Sequence, residues 1–184
     1  MTNPTPTARG NAVRQGDFKT LVDALDYAAT CDTGYNYFSG KGELVTALPY
    51  SELREQAIET AKRLVPFAKR GARIGICAVS TPEFAVLFYA CQYAGLVPAP
   101  LPLPVTLGGR TSYERQLQRM ADTGDFQALF TPASMEPIIS AALNDNNIPV
   151  LTFEEVAALP KGEDIRPHGP RDQCYIQYSS GSSS

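Results

Sequence analysis

The stretch that decides the fold runs from Arg73 to Leu101 and reads RIGICAVSTPEFAVLFYACQYAGLVPAPL. Its first part, Arg73–Val79, is almost continuously apolar, which is typical of a strand buried on both faces. Three helix-start signals follow, an N-cap, an N1 proline and a first-turn acid, which are Thr81, Pro82 and Glu83. Gly95 ends this helix, and Leu96–Pro100 predicts a second strand. Strand, helix and strand together indicate a βαβ unit.

The same alternation continues towards the C-terminus. Strands are predicted over Gln127–Thr131 and Pro149–Thr152, and a last strand over Gln173–Tyr178. Helical patterns separate them: Ser112–Ala121, a helix opening at Pro132 and carrying apolar residues to Leu143, and a short turn from Phe153 to Leu159. Because strands alternate with helices, we expect an α/β fold with a doubly wound, mostly parallel sheet in three layers.

The N-terminal side adds a small β-hairpin to this plan. Tyr35–Phe38 and Glu43–Thr46 flank turn residues, which predicts two antiparallel strands. Before them, Asp17 is predicted to cap a first helix, and after them a long helix opens at Pro49 or Tyr50. Residues 1–16 are polar and read as a flexible tail, so the folded part is expected to cover residues 17–184.

Composition excludes several classes of function. The chain has 184 residues, a net charge of -3 and a pI of about 5.2, which gives no electrostatic case for nucleic acid or anionic membrane. No apolar run is long enough for a membrane span, and no signal peptide is recognised. Four separated cysteines indicate reduced thiols in a cytoplasmic protein. The single histidine, His168, is predicted to face solvent from a loop, and no spacing of ligands predicts a metal site.

Six small residues, Ser179–Ser184, follow the last predicted strand. Successive backbone N–H groups in such a loop can form a concave site for phosphate oxygens, and the serine hydroxyls add donors. The composition alone favours a flexible linker or a cloning scar. The position favours the phosphate loop, because ligands bind at the carboxyl ends of parallel strands. The candidate phosphate-binding residues are Ser179, Ser180, Gly181, Ser182 and Ser183. Neither a Walker A nor a GxGxxG pattern is present.

Four stretches, taken in this order, resemble the adenylate-forming superfamily of acyl-CoA synthetases and fatty acyl-AMP ligases. They are LPYSEL at 48–53, VSTPEF at 79–84, CQYAGLVPAPL at 91–101 and IQYSSGSS at 176–183. Gln177-Tyr178 and the proline-rich run PLPLP at 100–104 are most similar to the fatty acyl-AMP ligase branch. Ser184 stands where that family usually has glycine.

The resemblance implies a ligase in which a fatty acid attacks the α-phosphate of ATP and gives acyl-adenylate and pyrophosphate. The acyl group then passes to a thiol of an acyl carrier protein or of CoA. The family's loop holds the β- and γ-phosphates, and the full-length enzyme would use ATP and Mg²⁺. The adenine and ribose sites, the Mg²⁺-binding acid and the mobile C-terminal domain with its lysine all follow this loop in the family.

Residues 17–184 are therefore expected to be an N-terminal subdomain cut inside the phosphate loop. We expect no catalytic residue within it, no bound cofactor, no activity of this piece alone, and dimerisation through apolar surface left uncovered. Two alternatives remain: a non-catalytic α/β binding or assembly module, and a free-standing nucleotide-binding α/β domain. The phosphate-loop interpretation requires that Gln173–Tyr178 belong to the central sheet.

Overall fold

The computed structural model describes residues 16–103 and 109–178. Its helices are α1 Leu21–Ala28, α2 Tyr50–Phe67, α3 Pro82–Ala94, α4 Gly109–Gly124, α5 Glu136–Ala142 and α6 Phe153–Ala158. Its strands are β1 Gly34–Phe38, β2 Leu44–Pro49, β3 Arg73–Cys77, β4 Val97–Leu101, β5 Phe126–Thr131 and β6 Val150–Thr152. A 3-10 turn at Asn144–Asn146 connects α5 towards β6.

Two sheets form, as the sequence predicts. Strands β1 and β2 pair antiparallel as a hairpin, and the other four form a parallel sheet in the order β4-β3-β5-β6. Alternate residues of each strand face opposite layers: Ile74 and Ile76 belong to the core with α2 and α3, whereas Leu129 belongs to the core with α4 and α5. The α/β class, the parallel sheet and the hairpin are thereby confirmed.

Helix α3 begins and ends at the predicted residues. Thr81 occupies the N-cap position with extended backbone and Pro82 is the first helical residue, although the Thr81 hydroxyl is buried with no hydrogen-bond partner among the described residues. Gly95 ends the helix in the left-handed conformation at φ 69°. The helix is packed tightly against α2, so its apolar residues are covered on more than one side.

The predicted starts of two helices are wrong. Helix α1 begins at Leu21, because Thr20 rather than Asp17 is the N-cap: its hydroxyl accepts a hydrogen bond from the Asp23 N–H at 3.0 Å. Helix α5 begins at Glu136 rather than at Pro132, because the chain first forms a turn in which the Met135 N–H donates to Pro132 O.

The predicted last strand is also wrong: Gln173–Tyr178 is not a strand of the sheet. The segment lies along the outer edge of β4 and donates one backbone hydrogen bond, from the Ile176 N–H to Pro98 O at 3.0 Å. A full ladder cannot form there. In β4 the backbone N–H groups of Val97 and of every second residue after it face β3. The N–H groups on the outer edge would belong to Pro98 and Pro100, and proline has no N–H.

His168 does not face solvent, contrary to the sequence prediction. Its side chain is buried, and Nε2 donates to Leu96 O at 2.7 Å, in the loop that leads into β4. Nδ1 lies 3.6 Å from the Asp172 carboxylate. The histidine therefore holds residues 160–172 against the N-terminal end of β4.

None of the four cysteines forms a disulfide, and Cys77 and Cys91 are fully buried as small hydrophobic residues. Within residues 16–103 and 109–178, no three potential ligands come together as a metal site. In the same part of the chain, no helix combines the length and apolar character that a bilayer crossing needs.

Candidate functional site

A cavity of about 620 Å³ opens at the carboxyl ends of β3 and β4. The loop that follows β3 forms its floor with Val79, Ser80 and Thr81, and Pro100 of β4 closes one side. This end of a parallel sheet is where α/β proteins bind their ligands. The volume falls within the usual range for small-molecule sites, roughly 300–1,000 Å³.

Aromatic side chains from three separate parts of the chain make the walls of this cavity. They come from the hairpin, from α3 and from the segment before the predicted phosphate loop: Tyr35, Tyr37, Phe84, Phe88, Tyr89 and Tyr175. The Phe88 and Tyr175 rings meet edge to face with centroids 5.8 Å apart. The cavity thus offers a mostly apolar surface with a few phenol hydroxyls.

Two phenols of the cavity, those of Tyr37 and Tyr89, are held in the neutral state by a raised pKa. Burial raises the pKa of Tyr89, and a hydrogen bond with Tyr35 acts in the same direction. Burial also raises the pKa of Tyr37. These hydroxyls can donate or accept hydrogen bonds but do not contribute negative charge at neutral pH, which suits an uncharged or anionic ligand.

The segment Gln173–Tyr178 alternates between two environments although it is not a strand. Tyr175 and Gln177 line the cavity, whereas Ile176 and Tyr178 pack against the core formed with α4 and α5. The Tyr178 hydroxyl donates to Met120 O at 3.1 Å. The predicted phosphate-binding residues Ser179, Ser180, Gly181, Ser182 and Ser183 follow directly in the chain and lie outside the described residues.

Gln92 contacts the segment that borders the cavity, and sequence reasoning missed it. It is 1% exposed, on α3, and its Nε2 donates to Cys174 O at 2.8 Å while its Oε1 accepts from Cys174 Sγ at 3.4 Å. Its backbone oxygen accepts from the His168 N–H at 3.0 Å. The available signal was a glutamine within the apolar stretch Phe84–Ala94 of α3, because an amide buried there needs hydrogen-bond partners. The aromatic cavity was also missed, since its residues are far apart in sequence.

A second cavity, of about 320 Å³, lies between α2, the start of α3 and α6. Its lining includes Glu59, Arg63 and Glu83. Glu59 is paired with Lys62 and Lys161, and Arg63 donates to Leu159 O, so the charges of Glu59 and Arg63 are occupied by contacts within the protein. The cavity at the carboxyl ends of the strands is therefore the better candidate for a ligand.

The chain belongs to the AMP-binding enzyme family, whose model matches residues 28–184. A protein of Caulobacter vibrioides named "Putative acyl-CoA synthetase" is 42% identical over 182 residues, which are 97% of this chain and 31% of that protein. A medium-chain-fatty-acid–[acyl-carrier-protein] ligase of Moorena producens is 32% identical over 96 residues, 50% of this chain and 16% of that protein.

Solved structures give the same family. A chain from a structural and functional study of fatty acyl-adenylate ligases from E. coli and L. pneumophila superposes with a TM-score of 0.88 at 39% identity, covering 92% of this chain and 31% of that one. A fatty acyl-adenylate ligase of L. pneumophila, solved with acyl adenylate and pyrophosphate, shares the fold with a TM-score of 0.66 at 17% identity, covering 90% and 29%. The chain thus spans about a third of these relatives, and it is similar to their corresponding parts.

Proposed function

We propose that this chain is the N-terminal part of an ATP-dependent acyl-activating ligase. The ligase converts a fatty acid to acyl-adenylate and pyrophosphate, and then transfers the acyl group to a carrier thiol. The observation that carries the proposal is the likeness to a fatty acyl-adenylate ligase chain over 92% of this chain at 39% identity. Residues 17–184 form one subdomain of that ligase and do not adenylate a fatty acid alone.

Ser179, Ser180, Gly181, Ser182 and Ser183 bind the β- and γ-phosphates of ATP in this proposal. Gln173–Tyr178 is not a strand of the sheet, so the condition stated from the sequence is not met. The proposal is supported instead by where the segment lies: the Ile176 N–H donates to Pro98 O at the edge of β4, and Gln177, two residues before Ser179, lines the carboxyl-end crevice. ATP with Mg²⁺ supplies the leaving pyrophosphate. Small residues there let a triphosphate approach the backbone, and their N–H groups stabilise its charge.

The aromatic cavity forms part of the crevice that receives the fatty acid. Its lining is mostly apolar, and apolar surface is what an acyl chain gains by leaving water. The acyl carrier protein thiol is the acceptor we favour, because PLPLP at 100–104 resembles the fatty acyl-AMP ligase branch. The thiol of CoA is the second acceptor to test. The ligase acts in the cytoplasm, and four cysteines that form no disulfide support this.

The decisive experiment measures pyrophosphate release by the ligase that contains these residues, with ATP, Mg²⁺ and fatty acids of increasing length. We expect release with at least one fatty acid, and transfer of the acyl group to a carrier protein. Residues 1–184 alone should release none. Failure of the ligase to release pyrophosphate with any carboxylic acid would reject the function. Co-purification of an intact partner with an inactive protein would instead favour the assembly module.

A further inference from the structure

We propose that Gln92 is a positioning residue for the predicted phosphate loop. It fixes the segment before the loop by supplying a hydrogen bond that Pro98 cannot make. The inference rests on the proposed function for its consequence in catalysis. Its structural part concerns how Gln173–Tyr178, the six residues before Ser179, is fixed to the edge of the sheet.

The outer edge of β4 offers acceptors without donors. The Val97 N–H donates to Ala72 O, beside β3, so in a strand the next residue along must point its backbone groups the other way. That residue is Pro98, and the next with the same direction is Pro100. Both have a carbonyl oxygen but no N–H. A segment that approaches this edge can donate hydrogen bonds to it and can receive none from it.

The register of the segment identifies the bond that is missing. The Ile176 N–H donates to Pro98 O, so a parallel ladder in this register would next link the nitrogen of Pro98 to Cys174 O. Proline cannot make that bond. In its place the Gln92 side chain reaches from α3 and donates from Nε2 to Cys174 O at 2.8 Å.

Because Gln92 is buried, its hydrogen bond to Cys174 contributes more to stability than an exposed hydrogen bond would. The residue is 1% exposed, and its Oε1 also accepts from Cys174 Sγ at 3.4 Å, so one amide uses both ends on one residue of the segment. A buried carbonyl left without a donor costs free energy, and so does a buried amide left without an acceptor. The pair therefore fixes the segment in one register, from which the chain continues through Gln177 to Ser179.

The test uses Gln92→Met, which keeps length and volume but removes the amide. Cys174 reports on the attachment, because its burial in the native contact also raises the pKa of its thiol. In a Cys31→Ser background the two other cysteines are fully buried. We expect Gln92→Met to accelerate labelling of Cys174 by a thiol reagent roughly tenfold. Losing about one buried hydrogen bond shifts the opening of the segment by that factor.

Gln118→Met is the matched control. Gln118 is also a helical glutamine whose Nε2 donates to a backbone oxygen, Ala142 O at 3.0 Å, but it joins α4 to α5 and not to the segment. It should leave the Cys174 labelling rate within about twofold of the native rate. Equal acceleration by both substitutions, or by neither, would overturn the proposal.

A rescue distinguishes a missing hydrogen bond from general damage. Pro98→Ala restores a backbone N–H at the position that faces Cys174 O, so the double variant Gln92→Met with Pro98→Ala should label several-fold more slowly than Gln92→Met alone. If Pro98→Ala does not slow the labelling, the assignment of that bond is contradicted. If Gln92→Met does not fold, Gln92→Glu is used, which keeps the shape and loses the donor when ionised; unchanged labelling at neutral pH would then count against the proposal.

The catalytic consequence is measured separately in the longer ligase. Gln92→Met should raise KM for ATP several-fold more than it raises KM for the fatty acid. Adding Pro98→Ala to this variant should bring KM for ATP back towards the native value. If the native ligase releases no pyrophosphate, the proposed function fails while the labelling result still stands. If the ligase is active and Gln92→Met changes both KM values equally, the positioning role is rejected.

Discussion

The Arg70 guanidinium donates to the Asp172 carboxylate at 2.6 Å and, on the same fork, to the backbone oxygens of Arg166 and Pro167 at 2.7 and 3.0 Å. Arg70 follows the end of α2, whereas its three acceptors belong to the connection that leads to Gln173–Tyr178. A planar guanidinium suits several acceptors at once. Together with His168 on Leu96 O, this contact holds the C-terminal part of the described chain against the first βαβ unit.

Gly95 lies beneath this fork, and replacing it with alanine should be costly. A Cβ there would lie 2.6 Å from Arg166 O and 2.7 Å from Arg70 Nη1, and φ is 69°. We expect Gly95→Ala to lower the free energy of unfolding by about 3 kcal/mol, as the sum of left-handed strain and displaced backbone. Urea titration followed by circular dichroism measures it.

Gly71→Ala separates the two causes. Gly71 also has positive φ, at 79°, but nothing lies within 4 Å of a Cβ there. Only the conformational cost remains, so we expect a loss of about 1 kcal/mol. Equal losses at the two glycines would show that the contact with Arg166 and Arg70 carries no weight.

Thr81 and Thr152, two of the threonines at helix N-termini, should respond differently to the same substitution. Thr152 completes a capping box with Glu155 at the start of α6, so Thr152→Val should cost about 1 kcal/mol. The Thr81 hydroxyl is buried with no partner among the described residues, so Thr81→Val should be neutral or slightly stabilising. Thermal unfolding of both variants measures the difference. A larger loss at Thr81 would mean that its hydroxyl has a partner.

Acid should weaken the contact that joins α2 to the connection after α6. Hydrogen bonds from Lys161 and Lys62 lower the pKa of Glu59 from 4.5 to about 2. Because the folded-state pKa is the lower one, the stabilisation is present above pH 4.5 and is lost as the pH falls towards 2. Glu59→Gln should therefore flatten the pH dependence of the urea midpoint between these values. High salt should reduce the difference from native, because Glu59 and Lys161 are exposed and Lys62 is only partly buried.

Glu55→Gln is the control for the acid effect. Glu55 is exposed on the same helix, and the described part of the chain shows no ion pair to it. Its substitution should leave the slope of stability against pH as in the native chain. A slope that changes equally for both variants would indicate general charge repulsion rather than the Glu59 contacts.

The sequence predicted the helices and the paired strands better than it predicted which segment pairs with the outer edge of β4. Continuous apolar runs and the Thr81–Gly95 helix signals are local, so the βαβ pattern and the hairpin followed from them. The status of Gln173–Tyr178 depended on a neighbour more than 70 residues away, because Pro98 and Pro100 remove the donors that a strand there needs. The burial of His168 has a similar origin, since Leu96 O required a donor that no local pattern reveals.

The candidate site could be predicted only in part. A small-residue loop after an extended segment is visible in sequence, and Ser179–Ser183 stays a prediction. The cavity beside it combines hairpin, helix and C-terminal segment, and no period in the sequence links Tyr35, Phe88 and Tyr175. Only the three-dimensional fold places these three rings around one cavity, in which the Phe88 and Tyr175 ring centroids lie 5.8 Å apart.

The cavity can be tested in the ligase by narrowing it without disturbing the core. Ser80 lines the cavity and is exposed, so Ser80→Phe adds bulk at the opening without removing any buried group. If the acyl chain lies there, kcat/KM should fall about tenfold for long fatty acids and much less for short ones, because each displaced methylene forfeits about 0.8 kcal/mol of burial. Ser51→Phe, exposed at the start of α2 and not part of the cavity, is the control and should leave both values unchanged. Equal loss for short and long chains would place the acyl group elsewhere and leave the cavity with another ligand, whereas unchanged kinetics would remove it from the substrate path.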